Sequence, residues 1–259
     1  MKQISIELDT CERAQSAGRV RLLMVRTLTC AAREWGVTDV ASGLLMSIPF
    51  LVALSGIVAA LMGKQAFVWF AGEDQFAEIL QVVFYGLATA LSFIIARRLS
   101  TRGERRLACL YGLLVLGLFF ITGEEISWGQ RIFGWKTPPA LMAVSTQGEM
   151  NIHNIQGVQS FFKWMQLLVG AYGTILPLTI FRIRALQRFR RVMSWLVPPA
   201  SLVPYFAITF MWRVARNFSL LGHEHLYFQH RYNEVMELNL AMGFFLFGVY
   251  QLRRKNHED

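Results

Sequence analysis

Apolar runs about 20 residues long, separated by short clusters of arginine, constrain this 259-residue chain more than any motif does. A hydrocarbon layer about 30 Å thick is crossed by about 20 helical residues, and backbone inside it must satisfy its own N–H and C=O groups. The runs fall at about 40–62, 76–96, 107–122, 161–181, 193–212 and 234–252. They predict an all-α fold, a polytopic membrane helix bundle of six spans over residues 40–252. A basic cytoplasmic segment at 1–39 would precede it, with Val20 to Cys30 as a candidate amphipathic helix, and a short cytoplasmic tail at 253–259 would follow. Pro49 lies inside the first run, and Pro198, Pro199 and Pro204 predict a broken fifth helix.

Charge distribution sets the expected orientation. The net charge is +9, which in a soluble domain would suggest nucleic acid. Here the basic residues cluster beside apolar runs, the pattern of anchoring to anionic membrane lipids, so lipids are the expected partners and nucleic acid is not. With alternating spans, 19 of the 26 Lys and Arg fall on one side and 7 on the other. The positive-inside bias then predicts a cell inner membrane protein with both termini cytoplasmic. Cys11, Cys30 and Cys109 show no metal or redox spacing.

Three polar groups then fall on the same, outer side. The first is Thr122-Gly123-Glu124-Glu125-Ile126-Ser127-Trp128-Gly129-Gln130-Arg131, directly after the third apolar run. A charge at a bilayer centre costs about 2.5–3.5 kcal/mol on insertion scales, so two adjacent carboxylates there require compensation. They can pair with Arg131, Arg213 or Arg216, or they can serve as general acid and base, since burial and like-charge proximity tune carboxylates for that work. The second group is Gln147, Glu149, Asn151, His153 and Asn154, between Trp135 and the fourth run. Interfacial or re-entrant helices are expected over 123–160.

The third group is His223, Glu224, His225, His230, Asn233, Glu234 and Glu237. On a helix the spacings of seven, four and three put His223, His230, Glu234 and Glu237 on one face. Imidazole and carboxylate together suit a divalent metal such as zinc, with His153, His223, His225, His230, Glu234 and Glu237 as candidate ligands. Glu124 and Glu125 are the candidate catalytic pair. Arg131, Gln130, Asn151, Asn154 and Arg216 are candidates for holding a substrate's polar head. The bland alternative is that these side chains cap helices and knit their ends together.

The run Gly123-Glu124-Glu125-Ile126-Ser127-Trp128-Gly129-Gln130-Arg131, with the later Gln147-x-Glu149-x-Asn151-x-His153-Asn154, resembles a signature found in uncharacterised bacterial multi-pass membrane proteins. The resemblance covers about 30 residues strongly, and it implies a membrane location but no activity. From the residues themselves, the leading expectation is a membrane enzyme, a metal-assisted hydrolase or transferase acting on a lipid or lipid-linked substrate. The alternatives are a proton-coupled transporter and a non-catalytic scaffold subunit.

Overall fold

The structure, a computed structural model, describes residues 25–145, 148–180, 183, 189–222 and 226–254, without the side chains of Arg131, Arg190, Leu226 and Arg254. The chain forms two compact units that meet between Ile48 and Pro49. In the first, helix α1 covers residues 25–35, and helix α2, Asp39–Leu61, begins. The Thr38 hydroxyl accepts the Ala41 N–H at 3.2 Å and so caps α2. Ser42 donates to the Leu28 and Asp39 carbonyls at 3.0 and 2.8 Å.

The second unit holds the remaining turns of α2, then α3 (Lys64–Ala71), α4 (Phe76–Thr101) and α5 (Arg105–Glu125). Two short helices follow, α6 (Gln130–Phe133) and α7 (Pro139–Met142), then α8 (Gln159–Thr179), α9 (Arg190–Leu196), α10 (Val203–Asn217) and α11 (Leu226–Arg254). No strand forms among the described residues; Ser145 and Ile155 make one isolated antiparallel bridge. The architecture is an all-α membrane bundle.

Among the described residues, five helical stretches are long and apolar enough to cross a membrane: α2, the α3–α4 stretch, α5, α9–α10 and α11. The sequence predicted six. The missing one is α8, whose 21 residues rise about 31 Å. Its length suffices, but Gln159, Lys163 and Gln166 shorten its apolar run. The fifth expected span is broken as its prolines dictate. Val197 turns extended after α9, and a 3-10 turn over Ala200–Leu202 leads into α10, which carries a proline in its first turn.

Packing follows side-chain size. Helix α4 lies against α5 and α11, and α10 lies against α8 and α11. On α8, Gly170 and Gly173 admit α10 closely. A Cβ on Gly173 would come within 2.1 Å of the Phe206 ring, and one on Gly170 within 3.0 Å of the Phe210 backbone. Small residues three apart give the close approach that membrane helices use in place of a hydrophobic driving force. At one end of the bundle the Tyr111 hydroxyl donates to the Trp195 carbonyl, and the Gln251 amide donates to the Ser194 carbonyl. The other end gathers the C-termini of α5 and α10 with the N-termini of α4, α8 and α11. There the described members of all three polar groups meet.

Candidate functional site

The Glu-Glu motif builds this end residue by residue. After α5 the backbone turns sharply through Ser127, Trp128 and Gly129, with φ of 48°, 53° and 84°. Left-handed conformations cost non-glycine residues about 1–2 kcal/mol each, so the turn needs compensating bonds. Ser127 finds them by donating to Glu149 Oε2 at 3.0 Å and accepting from Asn151 Nδ2 at 3.2 Å. The Trp128 indole folds back on the last turn of α5, and its Nε1 donates to Glu124 Oε1 at 2.6 Å. Only glycine at 123 leaves room for that ring, because a Cβ there would meet it at 2.9 Å.

Glu124 is buried at 2% exposure and is fully occupied. Besides the indole, its Oε2 accepts the backbone N–H of Ile152 at 2.7 Å and of His153 at 2.8 Å, and it lies 3.3 Å from His153 Nδ1. The carboxylate thus ties the 149–154 segment to α5. Gln130 adds a second tie, donating to the Thr137 hydroxyl at 2.7 Å and accepting the Met150 N–H at 2.8 Å. The Thr137 hydroxyl in turn donates to the Gly148 carbonyl at 2.6 Å. Gln130 therefore clamps the loop rather than presenting itself to a ligand.

Consecutive residues on a helix point about 100° apart, so Glu125 faces elsewhere. It lines a cavity of about 870 Å³ and has no hydrogen-bond or ion-pair partner among the described residues. Its electrostatic neighbours are Glu237, Glu234, Glu78 and Glu124. Glu234 accepts Gln81 Nε2 at 3.1 Å, and the same amide also binds the Glu234 carbonyl at 2.9 Å. Glu237 meets Arg213 Nη2 at 3.3 Å. Glu78 accepts the Asp74 N–H at 2.6 Å.

Cations line the same cavity. Arg213, 3% exposed, lines the cavity, and its Nε has no hydrogen-bond partner among the described residues. Lys163 lines it as well, close to Arg213 and Arg216. His153 reaches the same space, its ring edge-on to Phe162 at 6.1 Å. Phe120, Phe161, Met165, Val169 and Phe244 give the wall its apolar part, and Gln159, Gln166, His230, Asn233 and the Glu73–Arg231 ion pair line it as well. A volume of this size that combines apolar walls with convergent polar groups suits a small-molecule site.

The structure brings Glu124, Glu125, Asn151, His153, Asn154, His230, Glu234 and Glu237 to one cavity. Arg216 does not line it; this side chain turns to Gln229, whose amide holds the Gly222 carbonyl. His223 and His225, and the Arg131 side chain, lie outside the described residues. Among the described residues no three His, Cys, Asp or Glu side chains are arranged as metal ligands. The expected pairing of Glu124 with an arginine is replaced by the indole, two backbone amides and His153. Sequence reading singled out neither Glu78 nor Gln81, both inside the second apolar run. Both stand in the first turns of α4, and polar side chains in an otherwise apolar run are the signal that marks them.

Fold and site together define a class: a polytopic all-α membrane protein with a charged, amphipathic cavity at one end of its bundle. Comparison with protein-family models, with curated proteins and with solved structures returned no match to this chain.

Proposed function

We propose that this protein is an integral inner-membrane enzyme, a hydrolase or transferase, that acts on a lipid or lipid-linked substrate held in the 870 Å³ cavity. The observation that carries the reading is the Glu124–His153 pair at the cavity wall, 3.3 Å apart. A buried carboxylate against Nδ1 orients an imidazole and leaves Nε2 to take a proton from water or a hydroxyl group. Glu124 is then a positioning residue and His153 the base. Glu125, with no partner of its own among the described residues, serves as the second proton-transfer group. The aromatic and aliphatic wall accommodates acyl chains.

The excess of Lys and Arg on alternate loops supports six crossings, with α8 as the fourth and both termini cytoplasmic. The cavity then opens on the outer side. The carrier alternative needs a polar route to the opposite face. Along α11 the deepest lining residues are Leu240 and Phe244, both apolar, which favours the enzyme.

The test uses full-length protein in nanodiscs made with bacterial lipid extract, with the lipids followed by mass spectrometry. Wild type is expected to consume one lipid class. His153→Asn is expected to bind it equally but convert it at least about a hundredfold more slowly, the range for loss of a general base. Equal conversion by both proteins, or no conversion by wild type, overturns the enzyme.

A further inference from the structure

The cavity wall carries both signs of charge, and beyond the matched Arg231–Glu73 pair at 2.7 Å its charges group into an acidic set and a basic set joined at one side chain. Glu125, Glu234 and Glu78 form the negative pole. Lys163 and Arg213 form the positive pole, and Lys163 has no carboxylate partner among the described residues. Arg213 connects the two, bound to Glu237 on one side and close to Arg216 on the other.

Two details point to a ligand rather than to internal neutralisation. Arg213 is 97% buried, yet its Nε donor has no hydrogen-bond acceptor among the described residues. A buried donor without an acceptor costs about 1–3 kcal/mol, and a guanidinium edge matches the oxygens of a phosphate. On the other pole, Glu125 offers two carboxylate oxygens that no side chain or backbone group occupies among the described residues. An anion alone would suit Arg213 and Lys163 but would meet repulsion from the glutamates. A cation alone would leave Lys163 and the Arg213 Nε unmatched. A group carrying both charges a short distance apart satisfies both poles, and the apolar wall beside them takes its hydrocarbon.

From this geometry we infer that the cavity selects an amphiphile whose head carries a phosphate linked to a primary amine, the phosphate at Arg213 and Lys163 and the ammonium at Glu125 and Glu234. A primary ammonium donates three hydrogen bonds and so engages several carboxylates at once. The inference rests on the lipid-binding part of the reading above and holds whether or not the lipid is converted.

Native mass spectrometry of the full-length protein in detergent tests it, with three probes: a phosphatidylethanolamine, a phosphatidylglycerol of the same chains, and soluble glycerophosphoethanolamine. The ethanolamine lipid is expected to bind about tenfold more tightly than the glycerol lipid, the effect of one charge-assisted hydrogen bond. Glu125→Gln, which breaks no contact, is expected to erase that preference. Lys163→Met is expected to weaken both lipids alike by about tenfold. Equal binding of the two lipids by wild type overturns the amine pole and leaves the lipid site standing. Soluble glycerophosphoethanolamine binding as tightly as the lipid overturns the amphiphile. Failure of every lipid to bind overturns the lipid site itself, and with it the proposed function.

Discussion

Replacing Glu124 with alanine tests whether this carboxylate builds the site. The substitution removes the acceptor of the Trp128 indole at 2.6 Å and of the Ile152 and His153 amides at 2.7 and 2.8 Å. Each buried donor left unmatched costs about 1–3 kcal/mol. Water entering from the adjacent cavity relieves part of that, so the expected loss is about 3–5 kcal/mol, concentrated in the 149–154 segment. The Ser127–Trp128 turn loses support as well, since its left-handed backbone leans on the indole bond.

Hydrogen exchange reads this locally. The Ile152 and His153 amides are expected to be protected in the wild type and to exchange at least about a hundredfold faster in Glu124→Ala, the factor equivalent to about 3 kcal/mol. Amides in the middle of α4, whose packing the substitution leaves alone, are expected to keep their rates. Unchanged exchange at Ile152 and His153 would refute the clamp. Uniform acceleration across α4 and α11 would show instead that the carboxylate supports the whole bundle.

Other substitutions probe single contacts. Gly123→Ala forces a Cβ to within 2.9 Å of the Trp128 ring and is expected to cost about 1–3 kcal/mol with a red shift in tryptophan fluorescence. Gly173→Ala meets the Phe206 ring at 2.1 Å and is expected to lower the thermal midpoint more than Gly123→Ala does, because the ring lies at the α8–α10 seam. Glu104→Ala removes an exposed pair with Arg191 and is expected to shift the midpoint by no more than the scatter of repeat melts.

The bundle was legible in the sequence because hydropathy averaged over about 20 residues is a property of whole runs. The same averaging hid Glu78 and Gln81, whose polarity is diluted by Phe76, Ile79 and Leu80 around them. It also counted α8 as an ordinary span although Lys163 and Gln166 stand in its apolar face. The three polar groups were legible as a cluster, since loop alternation placed them at one end. Their division of labour was not. Both carboxylates reach the cavity, and which of them is tied down depends on a 100° rotation about α5, and on a loop whose left-handed turn no periodicity encodes. Gln130 and Arg216 looked free to bind a ligand and are held by Thr137, Met150 and Gln229 instead.

The neighbouring carboxylates therefore make a controlled comparison. In Glu124→Gln the amide carbonyl can keep the backbone donors of 152 and 153, but its NH2 then opposes the Trp128 indole N–H, donor against donor. That mismatch is expected to cost about 1–3 kcal/mol, a drop of roughly 2–10 °C in the thermal midpoint for a chain of this size. Glu125→Gln, one residue on, exchanges a group with no hydrogen-bond partner for a neutral isostere and removes only its repulsion by Glu234, Glu237 and Glu78. Its midpoint is expected to be unchanged or higher. Both variants are expected to impair lipid handling, the first by loosening His153 and the second by withdrawing charge from the cavity. Differential scanning fluorimetry alongside lipid binding separates the two causes. If Glu125→Gln proves as destabilising as Glu124→Gln, Glu125 is part of the scaffold and the division of the pair into builder and presenter is wrong.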